Sequence, residues 1–575
     1  MIKSQRIEKI LPEAASLLFF AAMMLFFGLS QPYHIHYREQ YQLFQWSWDY
    51  FRAVASCPGG LADWLSRALV QFFYYAWAGA AIIAAILTAI RMLLRRLCDN
   101  GWTFLRSFTF IPPLIIAFGL GDENLMLDAP VGLLLSLGLL LCFKNRSGRT
   151  SEVAGEILIP LLYMAAGPVS AVYAFGLAIS AIYRKSPVSA VADIVLMALC
   201  PIAAHYIFPY PLQRLVQGIH YHRYPLLPAL WPWIAAAASL ILIAVANIRV
   251  KRQGPLWHSL LGLLVIVPLA AQLPKSIDKD KEESMKYDFM VRMRQWNKIM
   301  MCADRDMPSK PMTVSCLNLA LAMSGRITDH QFEYFQNGPD GLFPTFTKDF
   351  TSPLPTSEIF YHLGMINSSR HYTYEVQEAI PDFQKSARCH KRLAECCLID
   401  GEYKLAAKYL KPLTRTIFYR SWALNALNLL GDEEAINAHP EYGPARQKRI
   451  SGNDFFFSDT EMDSMLGLLY VHNNDNTLAY TMMSSYVLLS KNLDRFVEVF
   501  PIKHWERIPD VYQQALMLWW SRDHSDFNDY PWPCSRQAVE ALAKFLRMTQ
   551  NGSNEAVVKR EFGRSYWYYY FYRYR

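Results

Sequence analysis

The chain has 575 residues, of which 53% are apolar and 18% are charged. Soluble domains have roughly 25% charged residues, so this composition predicts that part of the chain lies in a membrane. The net charge of +8 falls entirely in residues 1–274, which hold 20 Lys and Arg against 12 Asp and Glu. Residues 275–575 hold 37 of each kind, and a neutral half excludes the basic surface by which proteins bind nucleic acid.

Long apolar runs fill the first half of the chain and stop near Leu273. A bilayer core of about 30 Å needs about 20 helical residues to cross it, and helices satisfy their own backbone hydrogen bonds in lipid. The sequence therefore predicts a polytopic helical membrane domain over residues 12–273, in contact with the lipid bilayer. The runs cover residues 12–30, 68–90, 102–120, 129–143, 154–183, 187–208, 229–249 and 256–273.

Charged residues in the short loops predict the orientation of this domain, because Lys and Arg mark the cytoplasmic side. The tail 1–11 is basic and is expected in the cytoplasm, whereas the loop 121–128 is acidic and is expected outside. The later loops keep this pattern only if the run 154–183 crosses twice, as two short spans or as a re-entrant hairpin broken at Gly167-Pro168. We therefore expect about nine spans, with the remainder of the chain outside the cytoplasm.

Helical periodicity dominates the second half, after a polar linker at 274–284. Its clearest unit, residues 389–413, reads CHKRLAECCLIDGEYKLAAKYLKPL and resembles a tetratricopeptide repeat, with Gly401 closing a first helix and Pro412 ending a second. Pro381 ends a similar unit 31 residues earlier, close to the roughly 34-residue period of that repeat. Residues 285–562 are therefore predicted to form an all-α solenoid of tetratricopeptide-like hairpins, whose groove suits a protein or peptide partner.

The C-terminal tail, residues 563–575, ends in SYWYYYFYRYR. Trp and Tyr favour the headgroup layer of a membrane, so one hypothesis is that this tail lies on the membrane domain or on lipid. The alternative is a last helix or strand whose rings pack on the helical repeats. The sequence does not decide between the two.

Two acids in the first outer loop are candidate catalytic residues. The stretch YREQYQLFQWSWDYF, residues 37–51, contains Glu39 and Asp49, and Asp63 follows. An acid placed there can act as general base on an acceptor hydroxyl beside the lipid surface. The arrangement resembles that of the GT-C glycosyltransferases, which carry a catalytic acid in this loop. The resemblance implies a polyprenyl-phosphate sugar as donor and Glu39 as base, with Asp49 as second choice.

Two histidine pairs form a candidate site for a divalent metal. His34 and His36 follow the first span, and His220 and His222 lie in the outer loop 209–228. In an extended segment residues i and i+2 point the same way, so each pair would offer two imidazoles to one ion. The alternative is that these rings sit among lipid headgroups.

Two further acids, Glu156 and Asp193, fall within apolar runs. An acid inside a membrane is a candidate functional residue by default, although Asp193 could also reach the helix end or bond to Ser180 or Tyr183. The sequence shows no pair of inverted halves of the kind that transporters have, so a transporter ranks third among the possible functions.

Four stretches of the sequence carry a resemblance to a known family, namely SCPGGLADWLSRALVQFFYYAWAGA (56–80), FEYFQNGPDGLFP (332–344), YHLGMIN (361–367) and KRLAECCLIDGEYKLAAKYL (391–410). With them, the chain looks like an uncharacterised family of bacterial envelope proteins with a multi-spanning first half and a tetratricopeptide-like second half. The resemblance implies a Gram-negative inner-membrane protein with a cytoplasmic N-terminus and a periplasmic second half. Our leading hypothesis is a scaffold that presents the repeats to a partner in envelope assembly, and the alternative is the glycosyltransferase.

Overall fold

A computed structural model describes residues 2–99, 103–143, 148–248, 264, 266–345, 353–450 and 461–573. These residues are helical almost throughout and contain no strand, apart from an isolated β-bridge between Leu125 and His222. The predicted all-α fold class is therefore confirmed. The chain divides into two compact units. Unit 1 is Met1–Glu282 with Pro381–Ala387 and Pro412–Ser421, and unit 2 is Glu283–Ile380 with Arg388–Lys411 and Trp422–Arg575.

Unit 1 contains the apolar helices of the first half. Short 3₁₀ turns connect some of them, at Gln71–Tyr74, Pro168–Ser170 and Leu273–Ser276. Its helices are α1 (Ile2–Ser30), α2 (Pro32–Gln40), α3 (Trp48–Ala55), α4 (Gly60–Val70), α5 (Ala76–Leu97), α6 (Thr103–Phe108), α7 (Ile111–Gly119), α8 (Asp128–Phe143), α9 (Arg149–Ala166), α10 (Ala171–Tyr183), α11 (Pro187–Ile207), α12 (Leu212–Gln217) and α13 (Leu230–Ala246).

Three helices of the described residues are long and apolar enough to cross a membrane, namely Glu13–Ser30 in α1, α5 and α11. The run 102–120 gives only the short helices α6 and α7, because Pro112 and Pro113 stand at the start of α7, where prolines favour helix initiation. The helices α8, α10 and α13 are apolar but shorter than the roughly 20 residues that span a bilayer. Half of the run 256–273 lies outside the described residues.

The predicted break at Gly167-Pro168 is present. Helix α9 ends at Ala166, and Gly167 has a φ of 75°, in the left-handed region that favours glycine. A Cβ atom on Gly167 would lie 3.3 Å from the Cα of Gly59, at the start of α4. The backbone N–H of Gly59 in turn donates to the carbonyl of Met164 at 2.9 Å. This close approach holds the start of α4 against the turn between α9 and α10.

The helices of the second half lie mainly in unit 2, and the first of them begins at Lys279, inside the predicted linker. Short 3₁₀ turns occur at Gln331–Glu333, Gly338–Gly341 and Phe500–Ile502. The helices are α14 (Lys279–Arg292), α15 (Trp296–Arg305), α16 (Pro311–Met323), α17 (Ile327–His330), α18 (Pro353–Leu363), α19 (Ile366–Ala379), α20 (Ala387–Asp400), α21 (Tyr403–Leu413), α22 (Arg420–Asn428), α23 (Glu433–Ala438), α24 (Tyr442–Lys448), α25 (Met462–His472), α26 (Thr477–Leu489), α27 (Leu493–Val499), α28 (Asp510–Trp520), α29 (Arg536–Gln550), α30 (Glu555–Phe562) and α31 (Tyr566–Tyr572).

Two helix pairs of unit 2 lie where the repeat-like sequence predicts them. Gly364, with a φ of 89°, separates α18 from α19, and Gly401, with a φ of 79°, separates α20 from α21. Both glycines end a helix in the left-handed conformation, as is common at helix C-termini. The unit also has contacts between distant segments, since α17 packs on α26 and α28. A strictly one-dimensional array of repeats has only contacts between neighbouring repeats, so unit 2 differs from such an array in this respect.

The C-terminal tail packs into unit 2. Helix α31 buries Tyr566, Trp567 and Tyr569, each less than 5% exposed. The hydroxyls of Tyr566 and Tyr569 donate to the carbonyls of Leu488 and Leu489 at 3.2 and 2.7 Å. Of the two hypotheses for the tail, the structure therefore shows the final helix packed on other helices. This packing also gives the hydroxyls of Tyr566 and Tyr569 the hydrogen-bond partners that a buried tyrosine needs.

Candidate functional site

Unit 1 contains a cavity of about 410 Å³. This volume lies within the range of roughly 300–1,000 Å³ that is typical of small-molecule sites. The lining mixes charged, amide and aromatic side chains: Gln42, Gln45, Tyr50, Cys57, Asp63, Arg67, Phe208, Tyr210, His220, Asp382, Gln384 and Lys385.

Helix α4 supplies the first ion pair of the cavity. Asp63 and Arg67 are one turn apart, a spacing at which opposite charges meet on a helix face. The guanidinium holds the carboxylate with two hydrogen bonds, through Nε to Oδ1 and through Nη2 to Oδ2 at 2.8 Å. Both side chains are largely buried, and Arg67 also contacts the hydroxyl of Tyr50 at 3.4 Å. The carboxylate of Asp63 is therefore fixed in place and partly neutralised.

The segment Pro381–Ala387 supplies the second ion pair, although it lies far along the chain. Asp382 accepts two hydrogen bonds from Arg214, at 3.0 and 2.6 Å. Its φ of 57° is in the left-handed region, which aspartate tolerates better than most residues. The segment is anchored by Ser386, whose hydroxyl donates to the Gln40 carbonyl at 2.5 Å, and by the Ala387 N–H, which donates to the Gln42 carbonyl at 3.0 Å.

His220 lies between these two ion pairs. Its Nε2 is 3.8 Å from Asp63 Oδ2, and its Nδ1 is 3.9 Å from Asp382 Oδ2, so neither contact is a hydrogen bond. Burial lowers the pKa of His220, and Arg67 and Arg214 oppose the two carboxylates that would raise it. A neutral imidazole can both donate and accept, so His220 is suited to a hydrogen-bonding or general-base role toward a ligand hydroxyl.

The two predicted catalytic acids lie outside this cavity. Glu39 is 4% exposed on α2 and accepts hydrogen bonds from the Tyr419 hydroxyl at 3.1 and 3.2 Å. It borders a space of only about 10 Å³, whereas a single water needs roughly 10–15 Å³. Asp49 is exposed in the first turn of α3. Of Glu39, Asp49 and Asp63, Asp63 is the one that lines the larger cavity.

Three of the predicted histidines lie beside different carboxylates. Residues 32–40 are helical, so the extended geometry expected for His34 and His36 is wrong, because side chains two apart on a helix do not face the same way. His34 lies 3.4 Å from Glu282 and 3.8 Å from Glu123. His222 contacts the carboxylate of Asp122 at 3.1 Å. Within the described ranges, no group of three or more His, Cys, Asp or Glu side chains has a geometry suited to a metal ion.

The two acids of the apolar runs do lie near each other. Asp193, which is 3% exposed on α11, and Glu156 on α9 border a space of about 20 Å³ with Glu152 and Arg184. Ser180 donates to the Gly176 carbonyl at 2.9 Å and so is already bonded within its own helix. This space is too small for more than one water.

Several residues of the cavity were not selected from the sequence. The Asp63–Arg67 spacing was visible as an i,i+4 pair, but such pairs are common on exposed helices. No local pattern connects Asp382 with Arg214, which precedes it by 168 residues. Gln42 and Tyr210 belong to ordinary loop sequence and were found only from their place in the cavity.

No curated protein and no solved structure is significantly similar to the chain. One family profile, described as a family of unknown function (DUF6057), matches residues 7–573. This match covers nearly the whole length, and it agrees with the uncharacterised family expected from the sequence. The chain therefore belongs to the family of unknown function DUF6057.

Proposed function

We propose that the chain is an integral protein of a bacterial inner membrane, where unit 2 binds a protein or peptide partner in envelope assembly. In this proposal the N-terminus is cytoplasmic and the second half is periplasmic. Apolar side chains that point outward from unit 1 support a lipid environment, since α11 alone exposes Val188 and Ile207 by 79% and 72%. A soluble protein rarely exposes so much apolar surface along one helix.

The finer architecture belongs to the same proposal. Counting α8, α9, α10 and α13 as short or tilted spans beside the three full-length ones gives seven, with α9 and α10 crossing as two halves of the run 154–183. In this proposal the runs 102–120 and 256–273 supply the other two of the nine. Short apolar helices are tolerated where the bilayer thins or where neighbouring helices cover them. The glycine-terminated pairs of unit 2 support a tetratricopeptide-like solenoid.

One observation carries the scaffold proposal, an exposed apolar row on α25. Leu468 and Val471 are three residues apart on one helix face and are 52% and 65% exposed, and Met465 beside them is half-buried. Apolar residues at this spacing are the anchors that helices use to bind a partner's groove. In this proposal a partner surface covers them.

Site-specific photocrosslinking in the native membrane tests the scaffold proposal. With a photoreactive residue in place of Leu468, we expect one adduct of defined mass, which Val471→Asp removes. The matched control is the same photoreactive residue at Arg536, whose side chain is 92% exposed on α29. No adduct at position 468, or the same adducts at both positions, would reject this surface as the binding face.

The cavity of unit 1 favours a second function, a glycosyltransferase that uses a polyprenyl-linked sugar. Phe208 and Tyr210 line the cavity and directly follow the end of α11 at Ile207, which places the cavity beside the end of a membrane-length helix. In this proposal Asp63 joins Glu39 and Asp49 as a candidate base. Native mass spectrometry of the protein, released gently from its own membrane, tests for a bound polyprenyl phosphate that Asp63→Asn removes.

A further inference from the structure

We infer that the cavity of unit 1 binds a saccharide unit, either free or as the head of a lipid, through Gln42, His220 and the two arginine-held carboxylates. The inference extends the second candidate function to its binding residues and shares with it the class of ligand. Binding is separable from sugar transfer, so the test below measures binding alone.

The charges around the cavity point to an uncharged ligand. Asp63 is neutralised by Arg67, and Asp382 is neutralised by Arg214. The remaining charged side chain of the lining is Lys385. The two carboxylates of the lining are therefore matched by two guanidinium groups, and Lys385 adds a single positive charge. A cationic or strongly anionic ligand would need an excess of the opposite charge, which this lining does not provide.

Hydrogen-bonding groups are abundant in the cavity. The Nε2 of Gln42 donates to the Arg67 carbonyl at 3.0 Å, but its Oε1 is buried and has no hydrogen-bond partner among the described residues. The whole side chain is 7% exposed, so water replaces that partner poorly. Both ring nitrogens of His220 also face carboxylates from beyond hydrogen-bond distance. These groups are arranged to accept from, and donate to, several hydroxyls of one ligand.

Aromatic side chains form the apolar part of the same lining. Tyr50, Phe208 and Tyr210 stand among the polar groups, so the cavity offers ring faces beside carboxylate and amide oxygens. A sugar ring has C–H faces and a periphery of hydroxyls, and it matches this mixture better than a purely apolar or a purely ionic molecule. The volume of about 410 Å³ is enough for one such ring with its hydration.

Saturation-transfer difference NMR on the full-length protein in lipid nanodiscs tests the inference. The probes are the methyl glycosides of glucose, galactose, mannose, rhamnose and N-acetylglucosamine, with inorganic phosphate as the competing ligand. We expect at least one glycoside to receive saturation on its ring protons, and we expect phosphate not to displace it. Gln42→Leu and His220→Leu should each weaken binding by about three- to tenfold, as the loss of one hydrogen bond does.

Arg52→Gln is the matched control, because Arg52 is exposed on α3 and is not part of the lining. It should leave glycoside binding unchanged, and the melting temperature of each variant identifies any that is unfolded. The inference would be overturned if none of the glycosides bound or if both lining variants left their binding intact. It would also be overturned if phosphate displaced the bound glycoside. Glycoside binding without any lipid-linked sugar in the native mass spectrum would retain the inference, with a free saccharide as ligand, and would count against the glycosyltransferase.

Discussion

Replacing Glu358 by Gln should destabilise unit 2 through its buried ion pairs. Glu358 is 5% exposed on α18, and its carboxylate pairs with Arg392 and lies 3.7 Å from Arg388, both on α20. Burial by itself would raise the pKa of Glu358, but the two arginines outweigh burial and lower this pKa to about 2. The carboxylate is therefore charged in the folded protein and holds α18 against α20.

The magnitude follows from the charges that the substitution leaves behind. Removing one partner of a buried pair costs about 3–5 kcal/mol, because the other charge stays buried without compensation. Arg392 keeps Glu395 at 2.9 Å and Arg388 keeps Asp288 at 2.8 Å, so we expect the lower end of that range, about 3 kcal/mol. At about 1.4 kcal/mol per factor of ten, this corresponds to a roughly 150-fold larger opening equilibrium.

The alkylation rate of Cys396 measures that opening in the full-length protein. Cys396 is fully buried on α20, so a thiol reagent reaches it only when α20 separates from its neighbours. Peptide mass spectrometry resolves this cysteine from the others, and we expect Glu358→Gln to accelerate its alkylation about 150-fold at pH 8. Because the pKa of Glu358 is lowered, its contribution is present above about pH 4.5 and is lost as the pH falls toward 2.

The matched control is Glu540→Gln, which removes a carboxylate that pairs with Arg536 in the same unit, where both side chains are mostly exposed. Exposed pairs contribute little to stability, so the alkylation of Cys396 should hardly change in this variant. An acceleration of less than about threefold in Glu358→Gln would refute the reasoning, because it would mean that the arginines find water or other partners when the carboxylate is lost.

Three further predictions concern other parts of the molecule. Burial and the charge of Asp63 raise the pKa of Cys57 to about 11. The alkylation rate of Cys57 should therefore rise about tenfold per pH unit from pH 7 to 10, and a plateau of that rate near pH 9 would contradict this. Burial would raise the pKa of Asp122, but hydrogen bonds from His222 and from a backbone N–H lower it to about 2. The stability that Asp122 contributes is therefore lost only as the pH falls below about 4. In Asp122→Asn the melting temperature should depend less on pH over that interval. Trp567→Ala should lower the free energy of unfolding by about 3–5 kcal/mol in thermal unfolding, whereas a tail lying on lipid would give no change.

Local features of the sequence determined the class of the fold and many of its boundaries. The apolar composition of the first half and the helical period of the second predicted an all-α chain, because burial of one helix face requires that period. Gly167, Gly364 and Gly401 marked where helices end, since a left-handed residue at a helix end is a local property of the backbone. The number of membrane-length helices was less predictable, because prolines shortened some apolar runs into separate helices.

The candidate site was decided by the tertiary structure. Glu39 and Asp49 were chosen for their place in a loop, yet packing covers Glu39 with Tyr419 and leaves Asp49 exposed, while the neighbouring Asp63 lines the cavity. Asp382 reaches the same cavity across 168 residues from Arg214. Such partners are set by how helices pack and not by the residues beside them in the chain, because a hydrogen bond depends on distances of about 3 Å that no local pattern encodes.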